Sequence, residues 1–298
     1  MLFWRITAPV ICKIFAIVSI FAYKWGMVSV EHYIDELLSR GRAWFSREEA
    51  VGALGLSSEA FVAAARRLAR KQRLVSPRRG FYLILRPEDR VAGAPDPVRW
   101  IDPLMKYLGL DYRISLLRAA AFHGSSHQAA MVFQVIAPKQ LRAFDIGRHR
   151  LQFIYQAPAA FAKTNLPDWL LQMKSEAGFA KVAGVELTLL DCARYFHQAA
   201  GINGVAQIAH DIGAKADPHK LAKAAAIYEN SAVRRLGYLL DHAGHARQAR
   251  ALEPFARKAK SMKLLDPSVK PLTESLTGLG ERNTRWKLGI NEPVEIDF

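Results

Sequence analysis

Residues 46–82, SREEAVGALGLSSEAFVAAARRLARKQRLVSPRRGFY, leave little freedom in how their part of the chain can fold. Ser46 with Glu49 three residues on has the spacing of a capping box, which satisfies orphan amides at a helix start. Gly55 breaks that helix, and Ser57 is placed to cap a second one. Phe61, Ala65 and Leu68 then recur at i, i+4 and i+7, a stripe that faces a core. Arg66, Arg70 and Arg73 form a separate row at the same spacing, with Arg67 and Lys71 beside it. Strand-like Leu74-Val75 and Phe81 to Leu85 flank a tip of Pro77-Arg78-Arg79-Gly80, where Gly80 suits a positive φ and Pro77 presets another turn dihedral. Helix, turn, basic helix and basic hairpin in this order predict a winged helix-turn-helix whose second helix enters a DNA major groove.

Charge sharpens that reading. From Ala60 to Pro87 there is no acidic residue, whereas Arg66, Arg67, Arg70, Lys71, Arg73, Arg78, Arg79 and Arg86 are all basic. A run of Arg and Lys on a helix is also what an ordinary solvated face looks like. The hairpin tips the balance, because a wing with two arginines at its tip reaches phosphates or a minor groove and displaces condensed counterions. On this reading base edges are met by the early second helix: Ser57, Ser58, Glu59, Val62, Ala63 and Arg66. Serine bonds base edges, and Val62 or Ala63 suits a thymine methyl. Arg67, Arg70, Lys71, Arg78 and Arg79 then anchor phosphates, which position the protein without specifying sequence.

The whole chain agrees with a polyanionic partner: 298 residues carry a formal net charge of +15 and a pI near 10.0. That length suits two modest domains, and a hydrophobic share of 51% excludes a disordered tail. Cys12 and Cys192 make no disulfide framework, fit a reducing cytoplasm and leave no Cys/His zinc spacing. Residues 1–26 hold the apolar run Ile14 to Ala22 behind Arg5 and Lys13. Tyr23-Lys24-Trp25 is no signal cleavage site, and the run falls short of the ~20 residues a membrane helix needs. The extension therefore reads as lying upstream of the true start at Met27, which leaves no membrane partner; a secreted or anchored protein is the alternative.

Periodicity assigns an amphipathic first helix to Glu31–Arg40, which places the winged helix at residues 27–86. The Pro- and charge-rich stretch RPEDRVAGAPDPVR reads as a linker, residues 87–99. Residues 100–298 form a larger mixed α/β domain, so the fold class is α/β in the mixed α+β sense. Helices are expected over Trp100–Leu108, Ile114–Phe122, Leu187–Ala199, Val205–Ile212, Pro218–Tyr228, Ser231–Ala243 and Arg247–Lys260. Strands are expected at Val132–Ile136, Leu151–Tyr155 and Arg285–Ile290, with a strand pair within Phe179–Val185.

Several stretches together resemble the AbiEi-type antitoxins of abortive-infection toxin–antitoxin systems. They are Gly80-Phe81-Tyr82-Leu83, Trp100-Ile101-Asp102-Pro103-Leu104-Met105, and Tyr112 to Gly124 followed by His127-Gln128. Phe133-Gln134-Val135-Ile136, Glu186 to Asp191 and the closing Trp286 to Asn291 extend the likeness across residues 30–298. The resemblance implies a bifunctional protein. Its N-terminal winged helix represses its own operon at promoter repeats, and its C-terminal domain counteracts a nucleotidyltransferase-like toxin encoded alongside, without a stable complex. Members of the family begin just ahead of the first reader helix, which favours Met27.

Three motifs tempt an enzyme reading. His123 and His127 stand at i, i+4, but no Glu follows the first His as in HExxH, and Gly124 interrupts a shared helical face. The residues fit better as a helix cap bonded to the strand starting at Val132. Asp191-Cys192 lies in an apolar helix with no adjacent His, so Cys192 reads as a small buried hydrophobe and Asp191 as a partner of backbone or Arg194. Gly201 to Gly204 lacks the Lys of a phosphate loop. The expectation is no catalysis, no metal and no cofactor; the competing readings are a plain regulator without a toxin and a nucleic-acid-processing enzyme docked by its winged helix. A second basic helix remains, where Arg257, Lys258 and Lys260 stand in a stretch with Glu253 as its one carboxylate. It reads either as a solvated face or as a further nucleic-acid surface.

Overall fold

The computed structural model describes residues 29–125, 132–175, 178–270 and 281–296, in two compact units, Met1–Pro95 and Asp96–Phe298. The apolar extension, Met27 and the Ser126-His127 pair lie outside the described residues. Among those described, no helix is long and apolar enough to cross a membrane.

In the first unit α1 (Val30–Ser39) starts at Ser29, whose side chain accepts from the His32 amide, and buries Val30, Tyr33, Ile34 and Leu37. A short strand, β1 (Trp44–Ser46), leads into α2 (Arg47–Leu54), where Ser46 caps by accepting from Glu49 N. The Glu49 carboxylate does not close the box; Arg42 holds it in a fork at 2.5 and 2.6 Å. Gly55, at φ +62°, ends α2 in the left-handed conformation that glycine reaches without a Cβ penalty. Ser57 then caps α3 (Ser58–Arg70) through Ala60 N.

β2 (Leu74–Arg78) and β3 (Phe81–Ile84) form the hairpin, and β1 pairs with β3 to make a three-stranded antiparallel sheet in the order β1-β3-β2. The tip is shorter than the sequence suggests. Pro77 belongs to β2 at a register shift between Val75 and Arg78, and the turn itself is Arg79-Gly80, with Gly80 at φ +85°. A proline without an amide donor is tolerated there because the ladder is already interrupted.

The α3 stripe packs as expected: Phe61, Ala65 and Leu68 join Tyr33, Ile34, Phe45, Leu74 and Ile84 in one core. Aromatic contacts tie it together: Phe45 meets Tyr33 edge-on at 5.6 Å and Phe61 edge-on at 6.2 Å, and stacks on Tyr82 at 5.5 Å between ring centroids. Residues 87–99 hold two short 3-10 turns, at Pro87–Asp89 and Pro97–Arg99, and the buried Asp89 accepts from Arg86 N.

The second unit is built on a six-stranded mixed sheet in the order β6-β7-β5-β4-β9-β8, from β4 (Arg113–Ile114), β5 (Val132–Ala137), β6 (Phe144–Ile146), β7 (His149–Tyr155), β8 (Leu170–Ser175) and β9 (Gly178–Ala183). β5 runs parallel to β7 and β4 parallel to β9, while the remaining neighbours are antiparallel. Helices α4 (Ile101–Tyr107), α5 (Leu116–Phe122), α6 (Pro158–Thr164), α7 (Val185–Arg194), α8 (Gly201–Ile212), α9 (Pro218–Ala225), α10 (Asn230–His242) and α11 (Ala246–Lys258) complete the layer structure.

Three expectations change here. The predicted helix from Ile114 loses its start to β4, because Ile114 pairs with Val135 and Val182 in mid-sheet. The predicted strand pair inside Phe179–Val185 is one strand, β9, whose partner is β8, and Val185 already opens α7. The final strand shrinks to β12 (Leu288–Ile290), since Arg285–Lys287 turns with Lys287 at φ +50°. β12 pairs with β10 (Lys263–Leu264) and β11 (Glu281–Asn283) in a small third sheet. Trp286, in the turn before β12, is fully buried against Gly237 of α10, where an added Cβ would lie 2.0 Å from the indole.

Candidate nucleic-acid interface

The basic surface of the first unit is assembled by short-range capping and one longer link. Phe61, Ala65 and Leu68 fix which side of α3 is buried, so the opposite side is set by helical geometry. On it Arg66, Arg67 and Arg70 are exposed, and none of the three has an ion-pair partner among the described residues. Ala63 and Glu59 are exposed on the same helix, and Ser58 is half-buried. A backbone hydrogen bond, and after it the Ser57 side chain, hold the Glu59 carboxyl below its usual range at the start of α3, where the helix dipole favours an anion.

Two sequence-picked residues sit differently. Val62 packs partly against the core, so less of it faces outward than of Ala63. Arg73 falls beyond α3, which ends at Arg70, and it pairs with Glu31 at 3.3 Å and with Asp35 of α1. The row of Arg66, Arg70 and Arg73 is therefore broken after Arg70, and Arg73 serves to fasten α1. Lys71 lies 3.7 Å from Glu31 but is largely exposed.

The wing is fixed to the start of α2. Arg47 N donates to Gly80 O at 2.7 Å, and Ser46 pairs with Phe81 in register. The Arg47 side chain reaches Ser58 Oγ at 3.5 Å, so one residue touches both the hairpin turn and the first turn of α3. Trp44 stacks on Phe81 at 5.7 Å, with the Arg42 guanidinium 4.1 Å from the indole centroid. Arg79 is exposed at the turn, and Arg78 is half-buried, which lowers its pKa from the usual guanidinium value. Arg47 and Arg42 were not singled out from the sequence; β1, whose three residues put them there, is too short to show a strand period.

In the second unit the residues that suggested chemistry are structural. Asp191 is fully buried and does not serve Arg194, which pairs with Glu229 at 2.6 Å instead. Its carboxylate takes a two-pronged bond from the equally buried Arg113, Nε to Oδ2 at 3.0 Å and Nη2 to Oδ1 at 2.9 Å. Ser115 Oγ and Tyr228 OH donate to the same carboxylate, each at 2.7 Å. Arg113 spends further donors on Thr164 Oγ1 at 3.2 Å and Gln156 Oε1 at 2.9 Å. A buried charge pair of this kind persists only with such full hydrogen bonding. It joins β4, α6 and α7 to the segment after α9.

Cys192 beside it is buried, and burial with the Asp191 charge pushes its thiol well above the usual range, which removes thiolate character. His123 does not bond the start of β5. Its Nε2 lies 2.7 Å from Ala183 O at the end of β9, while Ser125 Oγ donates to Asp211 at 2.6 Å. Among the described residues no three His, Cys, Asp or Glu side chains come together as a metal would need.

On α11 Arg257 is tied to Glu253 at 3.0 Å, and Arg285 contributes a second cation to that carboxylate at 2.6 Å. Lys258 and Lys260 are exposed. The helix ends at Lys258, short of the expected Lys260, so Lys260 lies beyond it; of the three cations Arg257 is the one paired within the fold.

Comparison with known proteins adds two findings. The architecture is similar to that of the crystal structure of the RV2827C protein from Mycobacterium tuberculosis, with a TM-score of 0.59 at 17% identity, covering 86% of this chain and 89% of that one. At that identity the likeness is one of fold. No curated protein matches the sequence. Residues 113–242, which run from the β4 arginine through α10, match the family model of the AbiEi antitoxin C-terminal domain. Residues 113–242 of the chain are therefore an AbiEi-type antitoxin C-terminal domain.

Proposed function

We propose that the protein is an autoregulating antitoxin: the first unit binds promoter DNA of its own operon, and the second counteracts a nucleotidyltransferase-type toxin encoded beside it. The observation that carries the DNA half is the outward face of α3, where Arg66, Arg67 and Arg70 stand exposed next to a wing pinned to α2 by the Arg47–Gly80 bond. A helix with an apolar side in the core and a cationic side outward, its one acid Glu59 confined to the first turn, is what a major groove accepts, and a pinned wing adds backbone contacts. Ser57, Ser58, Glu59, Ala63 and Arg66 face base edges in this reading, with Val62 at the margin. Arg67, Arg70, Lys71, Arg78 and Arg79 hold phosphates.

The toxin half is supported by the match of residues 113–242 to the AbiEi antitoxin C-terminal domain. Co-expression tests it: the chain should restore growth to cells making the neighbouring gene's product, and the second unit should suffice for rescue. Growth arrest despite full-length antitoxin rejects that half. Lys258 and Lys260 are retained as a candidate extension of the nucleic-acid footprint, with Arg257 contributing less because Glu253 neutralises it. Charge reversal at Lys258 and Lys260 that changes neither operator affinity nor rescue removes them from the account.

A further inference from the structure

The second unit has a basic, aromatic sheet margin that none of these roles uses. β6 and β7 form a hairpin at one edge of the six-stranded sheet. Directly paired residues share a face, so the register Phe144↔Leu151 and Ile146↔His149 places Phe144, Phe153 and Tyr155 in one row. Deeper in that face Ile146 and Leu151 are buried. Toward the margin the face opens: Phe144 and Phe153 are half-buried and stack with centroids 6.0 Å apart, and Tyr155 is 44% exposed. The row is surrounded by cations. Lys139, Arg142 and Arg148 are exposed around it, while Arg150 and Asp145, the single carboxylate between residues 138 and 155, pair at 3.9 Å on the opposite face.

We propose that this edge binds single-stranded RNA, with Phe153 and Tyr155 stacking on successive unpaired bases. Lys139, two residues beyond Ala137, the β5 partner of Tyr155, and Arg142, two residues ahead of Phe144, take the flanking phosphates. Alternate residues of a strand stand about 6.6 Å apart on one face, which lets neighbouring rings each hold one splayed base. A duplex hides its base faces and offers such rings nothing, whereas unpaired loops and ends are the usual targets in RNA. A protein partner fits less well, since protein interfaces deplete charge at their apolar centre and this one is ringed by cations. The inference stands independently of the operator reading, which concerns the other unit.

The test is fluorescence anisotropy of the full chain with a labelled, unstructured RNA oligonucleotide, the same sequence as DNA, and the annealed duplex. Tyr155→Ala should weaken RNA binding about fivefold or more, the loss expected for one stacked base, and Tyr155→Phe should keep it. Lys139→Gln/Arg142→Gln should lower the slope of log K against log salt by about 0.7 for each phosphate contact removed. Arg78→Ala/Arg79→Ala should leave RNA affinity unchanged. The exposed Tyr155 ring is outside the core, so a matching thermal melt confirms that the variant is folded. Three results overturn the proposal: no saturable RNA binding, single-stranded DNA bound as tightly, or binding that survives Tyr155→Ala but is lost in the wing variant.

Discussion

Replacing Asp191 by alanine should be among the most damaging single changes available in the second unit. Both Asp191 and Arg113 are fully buried, so no water can take over when the carboxylate leaves. The substitution strands a guanidinium that had two bonds to Asp191 and orphans the Ser115 and Tyr228 hydroxyls as well. Breaking one side of a buried pair costs about 3–5 kcal/mol. In a unit of this size each kcal/mol moves the midpoint by about 2–4 °C, so a fall of roughly 6–20 °C follows. Calorimetry and circular dichroism of wild type, Asp191→Ala, Arg113→Met and Arg113→Met/Asp191→Ala give the measurement. The double variant removes the stranded charge and should recover part of the loss, a coupling that a simple cavity would not produce. A midpoint shift of under about 2 °C for Asp191→Ala, or a double variant worse than the sum of the singles, would refute the reasoning about the buried charge.

Two further effects follow from packing and protonation. Gly237→Ala places a Cβ 2.0 Å from the Trp286 ring, so it should destabilise by at least the 1–3 kcal/mol typical of overpacking, read from urea midpoints; a neutral result would show that the tail carrying Trp286 is free to shift. His123 is pushed below the usual imidazole value, first by burial, with the bond to Ala183 O opposing. Its unfolded form therefore takes up protons more readily, and the stability it contributes is full above about pH 6.5 and is lost as pH falls below that. Wild type should lose stability between pH 7.5 and 5.5 more steeply than His123→Gln; parallel curves would contradict the assignment.

What the sequence disclosed and what it hid divide along range. Ser46, Gly55, Ser57 and the Phe61–Ala65–Leu68 stripe act within a turn or two, so α2 and α3 could be read locally and were found where capping placed them. Arg73 looked like part of the α3 row because its true partners, Glu31 and Asp35, lie 42 and 38 residues away. β1 and β4, of three and two residues, are too short for a period of two to register. Asp191 was assigned to Arg194 for the same reason of distance: Arg113 is 78 residues earlier. One signal was available. Asp191 within Leu189-Leu190-Asp191-Cys192 is a charge in an apolar run, and a buried charge needs a partner. The AbiEi likeness, quoted from motifs scattered over the chain, is supported by the family match across residues 113–242.

The central claim, that the first unit is an operator reader, is tested most directly by a salt-titrated gel shift. The chain from Met27 onward would be run on DNA from upstream of its own gene and on a scrambled duplex, beside Arg67→Ala, Arg70→Ala and Arg78→Ala/Arg79→Ala. The account predicts tight binding selective for the native sequence. Truncating each phosphate anchor should weaken all duplexes alike and flatten the salt slope by about one per contact. Weak binding, equal on both duplexes and indifferent to the wing and helix variants, would contradict it and leave the arginine face of α3 as a solvated surface.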